Sequence, residues 1–298
     1  MKKIIDDAFI SMLEQRDLYI DGAMNGLFGG ERKSKAYGSS VEFADYREYA
    51  RGDDLRRIDW NLYARFEKLY LKLYVDERQL YHRIYIDASS SMDWGKPSKG
   101  EVAVKIAAAL AFLAVRGNDR VEIDVLRGSE CTPLCRAFTG TEAFYRAADL
   151  LNGLKFHGST DFGTALNATD NVGKDDGLSV IISDFLTEND FMGAIDRLVY
   201  RGRRVHLVQI LSEDELSPSL RGKMTLFDIE SDHEDDPRNV RSIISRSKIK
   251  AYEKALEWHQ NEIKQFCNAR GAGFFTVCSA DPIEKILFMK AAEERLIK

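Results

Sequence analysis

The sequence predicts an α/β protein with a mainly parallel sheet covered by helices on both faces, preceded by an N-terminal extension. Three observations carry that expectation. From residue 81 onward, strand-like apolar runs alternate with helix-period segments, as crossover units of a parallel sheet require. The run Leu178-Ser179-Val180-Ile181-Ile182 is nearly continuous in apolar residues, the signature of a strand buried on both faces. Two of the strands end on an acid, Asp87 and Asp184, and open α/β sheets bind their ligands at the carboxyl ends of strands.

Taken in order, residues 3–20 place Ile5, Phe9, Met12 and Leu13 at a helical period. The glycine-rich basic stretch from Gly26 to Lys35 lacks the Gly-Lys-Ser/Thr ending of a P-loop and reads as a flexible loop. Residues 67–75 alternate and predict a half-buried strand. The first 80 residues therefore form an extension without a full core of their own, and 81–298 form the main domain. Within it the pattern predicts strand 81–87 and helix 99–116, whose run Ala103, Ile106, Ala107, Leu110 and Ala111 permits close packing on a sheet. Strand 121–126, a hairpin-like segment near 131–138 and helix 141–152 come next. Strand 178–182, helix 189–201, strand 205–211, helix 247–269, strand 274–278 and a closing helix complete the alternation. Residues 224–230 and 240–245 break the rhythm. They predict a hairpin insertion near 224–245 around an acidic tip at 231–237, read as a solvated turn.

Composition narrows the function. A chain of 298 residues, 44% hydrophobic and 31% charged, is an ordinary globular protein. Its net charge of -5 argues against nucleic-acid binding. The basic pair Lys2-Lys3 is followed by acids before any apolar run builds, so no signal peptide is expected, and no stretch is apolar enough to span a bilayer. Cys131, Cys135, Cys267 and Cys278 lack zinc-ligand spacing and read as reduced thiols. The expectation is a cytoplasmic protein.

The chemistry concentrates after strand 81–87. Asp87, Ser89 and Ser91 share one loop and offer one carboxylate and two neutral hydroxyls, a hard-oxygen set suited to magnesium that keeps several waters. Asp-x-Ser-x-Ser alone is a weak signal, and two later segments add to it. Thr160 lies in a turn that opens a helix, in His157-Gly158-Ser159-Thr160-Asp161-Phe162-Gly163-Thr164-Ala165-Leu166, and Asp184 ends the central strand. This order of acid, hydroxyls, threonine and acid resembles the metal-ion-dependent adhesion site (MIDAS) of von Willebrand factor A domains, His157-Gly158-Ser159 being a departure from their pattern.

The front of the chain sharpens the resemblance. Gly30-Glu31-Arg32-Lys33-Ser34, Val41 to Tyr49, and Gly52-Asp53-Asp54-Leu55-Arg56-Arg57-Ile58-Asp59-Trp60 are similar to the signature of domain-of-unknown-function family 58. Its members resemble a von Willebrand factor A-like domain behind a short extension and are associated with MoxR-type AAA+ ATPases. The resemblance implies that Ser89 and Ser91 bind magnesium through their hydroxyls, Thr160 directly or through water, and Asp87 and Asp184 mostly through water. Manganese or calcium are the alternative ions. It further implies a non-enzymatic, metal-dependent adaptor. Its protein partner would supply an acidic side chain and would be a MoxR-type ATPase or its client. Many relatives carry amino-terminal membrane helices, and this sequence departs from them in having none, so neither a membrane nor, given the net charge, a nucleic acid is expected as partner.

Two other readings stand beside this one: a metal-dependent phosphoesterase or nuclease, motivated by carboxylates at strand ends, and a scaffold with a degenerate metal site. Against the first, a phosphotransferase would carry a second acid where Ser89 stands, and Ser90 lacks the Gly-x-Ser-x-Gly flanks of a hydrolase. Arg51-Gly52-Asp53 spells an adhesion tripeptide but lies inside the family signature and reads as structural.

Overall fold

The computed structural model describes residues 3–14, 43–74, 80–168, 177–187, 190–219, 222–226 and 240–290. The Gly26–Lys35 stretch and the acidic tip at 231–237 lie outside them. Contacts divide the chain into two compact units, residues 24–79 and residues 1–23 together with 80–298.

The larger unit is built on a six-stranded sheet. Its strands are β3 (Tyr81–Asp87), β4 (Arg120–Arg127), β5 (Glu130–Phe138), β6 (Leu178–Ser183), β7 (Arg204–Leu211) and β10 (Gly273–Cys278). The spatial order is β10-β7-β6-β3-β4-β5, parallel throughout except for β5, which returns antiparallel to β4 with irregular register and with Pro133 inside it. β3 thus lies between β4, its successor, and β6, which the chain reaches much later. The carboxyl ends of β3 and β6, where the strand order reverses, are the place where such sheets bind ligands.

Helices cover both faces. Helix α3 (Lys99–Arg116) starts at the N-cap Ser98, whose hydroxyl accepts the Glu101 N–H. Its alanines are buried nearly all round, so it can lie close to the sheet on one side and against α4 (Thr141–Asn152) on the other, where Phe112 meets Phe144 edge-on at 5.2 Å. The opposite face carries a cluster joining Tyr85, Leu126 and Ile181 of the sheet to Phe162, Phe185, Phe191, Ile195 and Ile263. Phe162, Ile195 and Ile263 come from α5 (Phe162–Asn167), α6 (Met192–Tyr200) and α8 (Arg246–Ala269), and Phe185 and Phe191 from the segment between β6 and α6. Helix α6 is shorter than the 189–201 segment its periodicity suggests, and Asp190 accepts the Met192 N–H at its start. Strands β8 (Gly222–Leu226) and β9 (Val240–Ile244) pair antiparallel as the insertion hairpin. After β10 come helical turns over Ile283–Lys285 and Ile286–Lys290.

The helix over residues 7–14, α1, also belongs to this unit. It buries Phe9 and Leu13, and at its entrance Asn152 exchanges two hydrogen bonds with the Ile5 backbone, at 2.8 and 3.1 Å. A boundary at residue 80 therefore separates the end of the second unit from the main sheet, but the first 23 residues group with the main unit.

The smaller unit pairs β1 (Phe43–Glu48) antiparallel with β2 (Tyr70–Tyr74). Helix α2 (Trp60–Phe66) is capped by Asp59, which accepts the Asn61 and Leu62 N–H groups. The other oxygen of that buried acid accepts the Tyr46 hydroxyl at 3.1 Å and meets the Lys72 ammonium at 3.2 Å. Asp53 accepts from Arg47 and from the Ala50 N–H, both at 2.8 Å, so the acid of the Arg-Gly-Asp tripeptide is spent on its own turn.

Candidate functional site

Strand β3 carries Asp87 out to the carboxyl edge of the sheet, where the chain leaves through Ala88-Ser89 into a short 3-10 turn, Ser90–Asp93. A second loop braces it. The His157 N–H donates to the Ala88 carbonyl at 2.8 Å and the Ser90 N–H to the Gly158 carbonyl at 2.7 Å. The same second loop is tied to β4, the Gly128 and Asp161 N–H groups each donating across at 2.8 Å. Asp161 then caps α5, accepting the Thr164 N–H. A Cβ on Gly163 would strike the Asp190 carbonyl, so α5 can start this close to the loop after β6 only with glycine there.

These restraints bring distant residues together. The Thr160 hydroxyl donates to Asp87 Oδ1 at 2.9 Å, across 73 residues. The same oxygen accepts the Ser89 N–H at 3.0 Å, and Asp87 Oδ2 accepts the Ser183 hydroxyl at 2.8 Å. The Ser89 and Ser91 hydroxyls lie 3.0 Å apart. Asp87, Ser89 and Thr160 are buried and Ser91 half-buried, so the cluster reaches the surface through Ser91. Burial, reinforced by the charge of Asp184, pushes the Asp87 carboxyl up from 3.8 to about 6.

Asp184 follows β6 directly and stands apart from the hydroxyls. Its Oδ1 accepts the Leu186 N–H at 3.1 Å, its backbone carbonyl accepts the Gln209 side-chain amide at 2.8 Å, and its Oδ2 receives the Lys99 ammonium at 2.8 Å. The next residue, Phe185, is held in the left-handed region (φ 52) with its ring fully buried against Phe162 and Phe191. A bulky residue there is strained, and the aromatic contacts offset that cost and fix the turn that aims Asp184.

Three participants escape a reading of the motif alone. Ser183 looks like the last residue of a strand, yet it orients Asp87. Lys99 is fully buried and reaches both Asp184 and Glu215. Glu215, in the short helix α7 (Glu213–Leu216), is held by a capping box with Ser212. A signal for Lys99 was available: a lysine opens an otherwise small and apolar helix, at the end where the helix field disfavours a cation. His157 lies exposed in the second loop and His82 pairs with Asp119 at 3.0 Å at the opposite end of β3. Among the described residues no group of three or more His, Cys, Asp or Glu side chains converges on one point that could hold a metal, so a cation here would rest on hydroxyls. No helix among them is long and apolar enough to cross a membrane.

A family model described as protein of unknown function DUF58 matches residues 45–260. The chain belongs to the DUF58 family. This DUF58 protein is 27% identical over 233 residues to an uncharacterized protein of Mycobacterium tuberculosis and equally to one of Mycobacterium bovis, covering 76% of this chain and 73% of each relative. Its main unit is a six-stranded, mostly parallel sheet between helices. Solved structures similar to it include conserved hypothetical protein BatB from Bacteroides thetaiotaomicron, at 16% identity and TM-score 0.42, covering 72% of this chain and 98% of that one. The SpRpn10 VWA domain is similar at 9% identity and TM-score 0.40, covering 70% and 94%. Manganese-loaded Plasmodium vivax TRAP protein is similar at 18% identity and TM-score 0.34, covering 44% and 57%.

Proposed function

We propose that this DUF58 protein is a non-enzymatic, metal-dependent interaction module, acting as an adaptor for a MoxR-type AAA+ ATPase or its client. The observation that carries the reading is the packing of three hydroxyls, Ser89, Ser91 and Thr160, around one buried, pre-oriented carboxylate at the sheet's carboxyl edge. Neutral oxygen donors with few charges suit magnesium, which keeps part of its water shell. A second observation fits a cation: two buried acids, Asp87 and Asp184, sit close enough that one raises the other. Ser89, Ser91 and Thr160 would hold the ion, with Asp87 and Asp184 bonded to its waters. When bound, the ion would supply an electrophilic centre for a partner's carboxylate. The chain's own residues orient the donors and provide contact surface: Trp94, three residues beyond Ser91, and Leu186, two beyond Asp184, are both largely exposed.

Lys99 on Asp184 favours a second reading, a metal-free scaffold in which the lysine permanently supplies the positive charge. One experiment separates the two. Binding of a purified MoxR-type ATPase from the same genome is measured in magnesium and in EDTA, with wild type and Asp87→Ala. Binding that needs magnesium and disappears in the variant supports the adaptor. Binding indifferent to both supports the scaffold, and absence of binding in every arm removes the ATPase.

A further inference from the structure

Lys99 is retained against two penalties. Its side chain has no exposure to solvent, and it occupies the first position of α3, where the backbone N–H groups oppose a cation. The structure shows what offsets them. The ammonium donates to Asp184 Oδ2 at 2.8 Å and to Glu215 Oε1 at 2.6 Å. Glu215 is fixed by its other oxygen, which accepts the Ser212 N–H at 2.7 Å and the Ser212 hydroxyl at 3.0 Å, while Ser212 Oγ accepts the Glu215 N–H at 3.3 Å. The lysine is thus clamped on an acid that a divalent ion at the hydroxyl cluster would also use.

We infer that Lys99 is a built-in counter-cation that competes with a divalent metal for Asp184 and keeps the site's affinity low until a partner adds its own carboxylate. The inference rests on the metal reading of the Ser89–Ser91–Thr160 cluster and adds a regulator to it. The physics is charge. Lys99, Asp184 and Glu215 together carry one net negative charge; a neutral residue in place of the lysine leaves two. With an effective dielectric constant of about 20 to 40 and a separation on the order of 7 Å, removing one positive charge strengthens divalent binding by roughly fifty-fold or more. Removing Glu215's charge acts in the opposite direction and leaves the ammonium to Asp184 alone.

The test is a Mn²⁺ titration of the full chain read by electron paramagnetic resonance, with circular dichroism confirming each variant's fold. Wild type, Lys99→Met, Glu215→Gln, the double variant and Asp87→Ala are compared. Lys99→Met is expected to bind Mn²⁺ about fifty-fold tighter or better, Glu215→Gln several-fold weaker, and the double variant between them. Glu215→Gln keeps the lysine, so it decides the matter should Lys99→Met fail to fold. A folded Lys99→Met that binds no tighter than wild type, or a Glu215→Gln that binds no weaker, overturns the inference while leaving the metal site standing. If Mn²⁺ binding is absent from every variant, or is unaffected by Asp87→Ala, the metal reading falls and this inference with it.

Discussion

Asp87→Asn separates charge from shape at the candidate site. The wild-type carboxyl is buried beside Asp184 and lifted from 3.8 to about 6. An acid whose native pKa exceeds its unfolded value stabilises the fold fully only below the unfolded value, near pH 4. That contribution is lost as pH rises through about 6. At pH 8 the group is charged in both states, and the native state carries the whole cost of burying it. With 1.36 kcal/mol for each pKa unit, the lift of about two sets a ceiling of roughly 3 kcal/mol. Asparagine removes the charge but keeps an acceptor for the Ser89 N–H and Thr160 hydroxyl, and its amide can donate to Ser183 Oγ. In EDTA at pH 8 the variant is therefore expected to melt higher than wild type, by on the order of 5 °C. The gap should close as pH falls through 6 toward 4. Glu122 and Asp124, lifted by burial to about 7 and about 6, tilt both proteins alike, so the difference between them isolates Asp87. Calorimetric melting at pH 4, 6 and 8 checks it. A variant no more stable than wild type at pH 8, or a gap that ignores pH, refutes the electrostatic account.

Three further outcomes follow from the same contacts. Thr160→Val should cost about 1–2 kcal/mol in urea melts and weaken Mn²⁺ binding, because it withdraws a buried donor from Asp87, while Thr160→Ser restores both. Phe185→Ala should destabilise by about 3–5 kcal/mol, by emptying the space between Phe162 and Phe191, and the freed turn should loosen Asp184 enough to show as faster amide exchange at Leu186. Trp94→Ala should leave stability within about 0.5 kcal/mol, since the residue is 48% exposed, yet weaken partner binding measured by interferometry.

Much of the fold was legible because its elements announce themselves locally. Leu178–Ser183 is apolar on both faces because it is central, and the alanines of α3 are small because that helix is covered on nearly every side. Asp87 and Thr160 were grouped in the sequence only through the resemblance to an adhesion site, and their side chains are hydrogen-bonded to one another. What stayed hidden depends on long-range partners that carry no local mark. Lys99 and Asp184 are 85 residues apart and Lys99 and Glu215 116 apart, and nothing beside either acid names the lysine. The placement of α1 was hidden for the same reason. An amphipathic helix states that it must bury a face, and Asn152 on α4 marks where.

Strand β5 has a consequence for how copies of this protein coexist at high concentration. It is the outermost strand on one side of the main sheet, and an open edge of that kind is a template for runaway pairing between molecules. Its register against β4 slips twice, and Pro133 offers no N–H to an incoming chain. An approaching strand would find no donor at Pro133 and would meet the charged Glu130 and Arg136 along the edge. The irregularity that spoils β5 as a regular strand is what makes it a poor seed for fibrillar stacking.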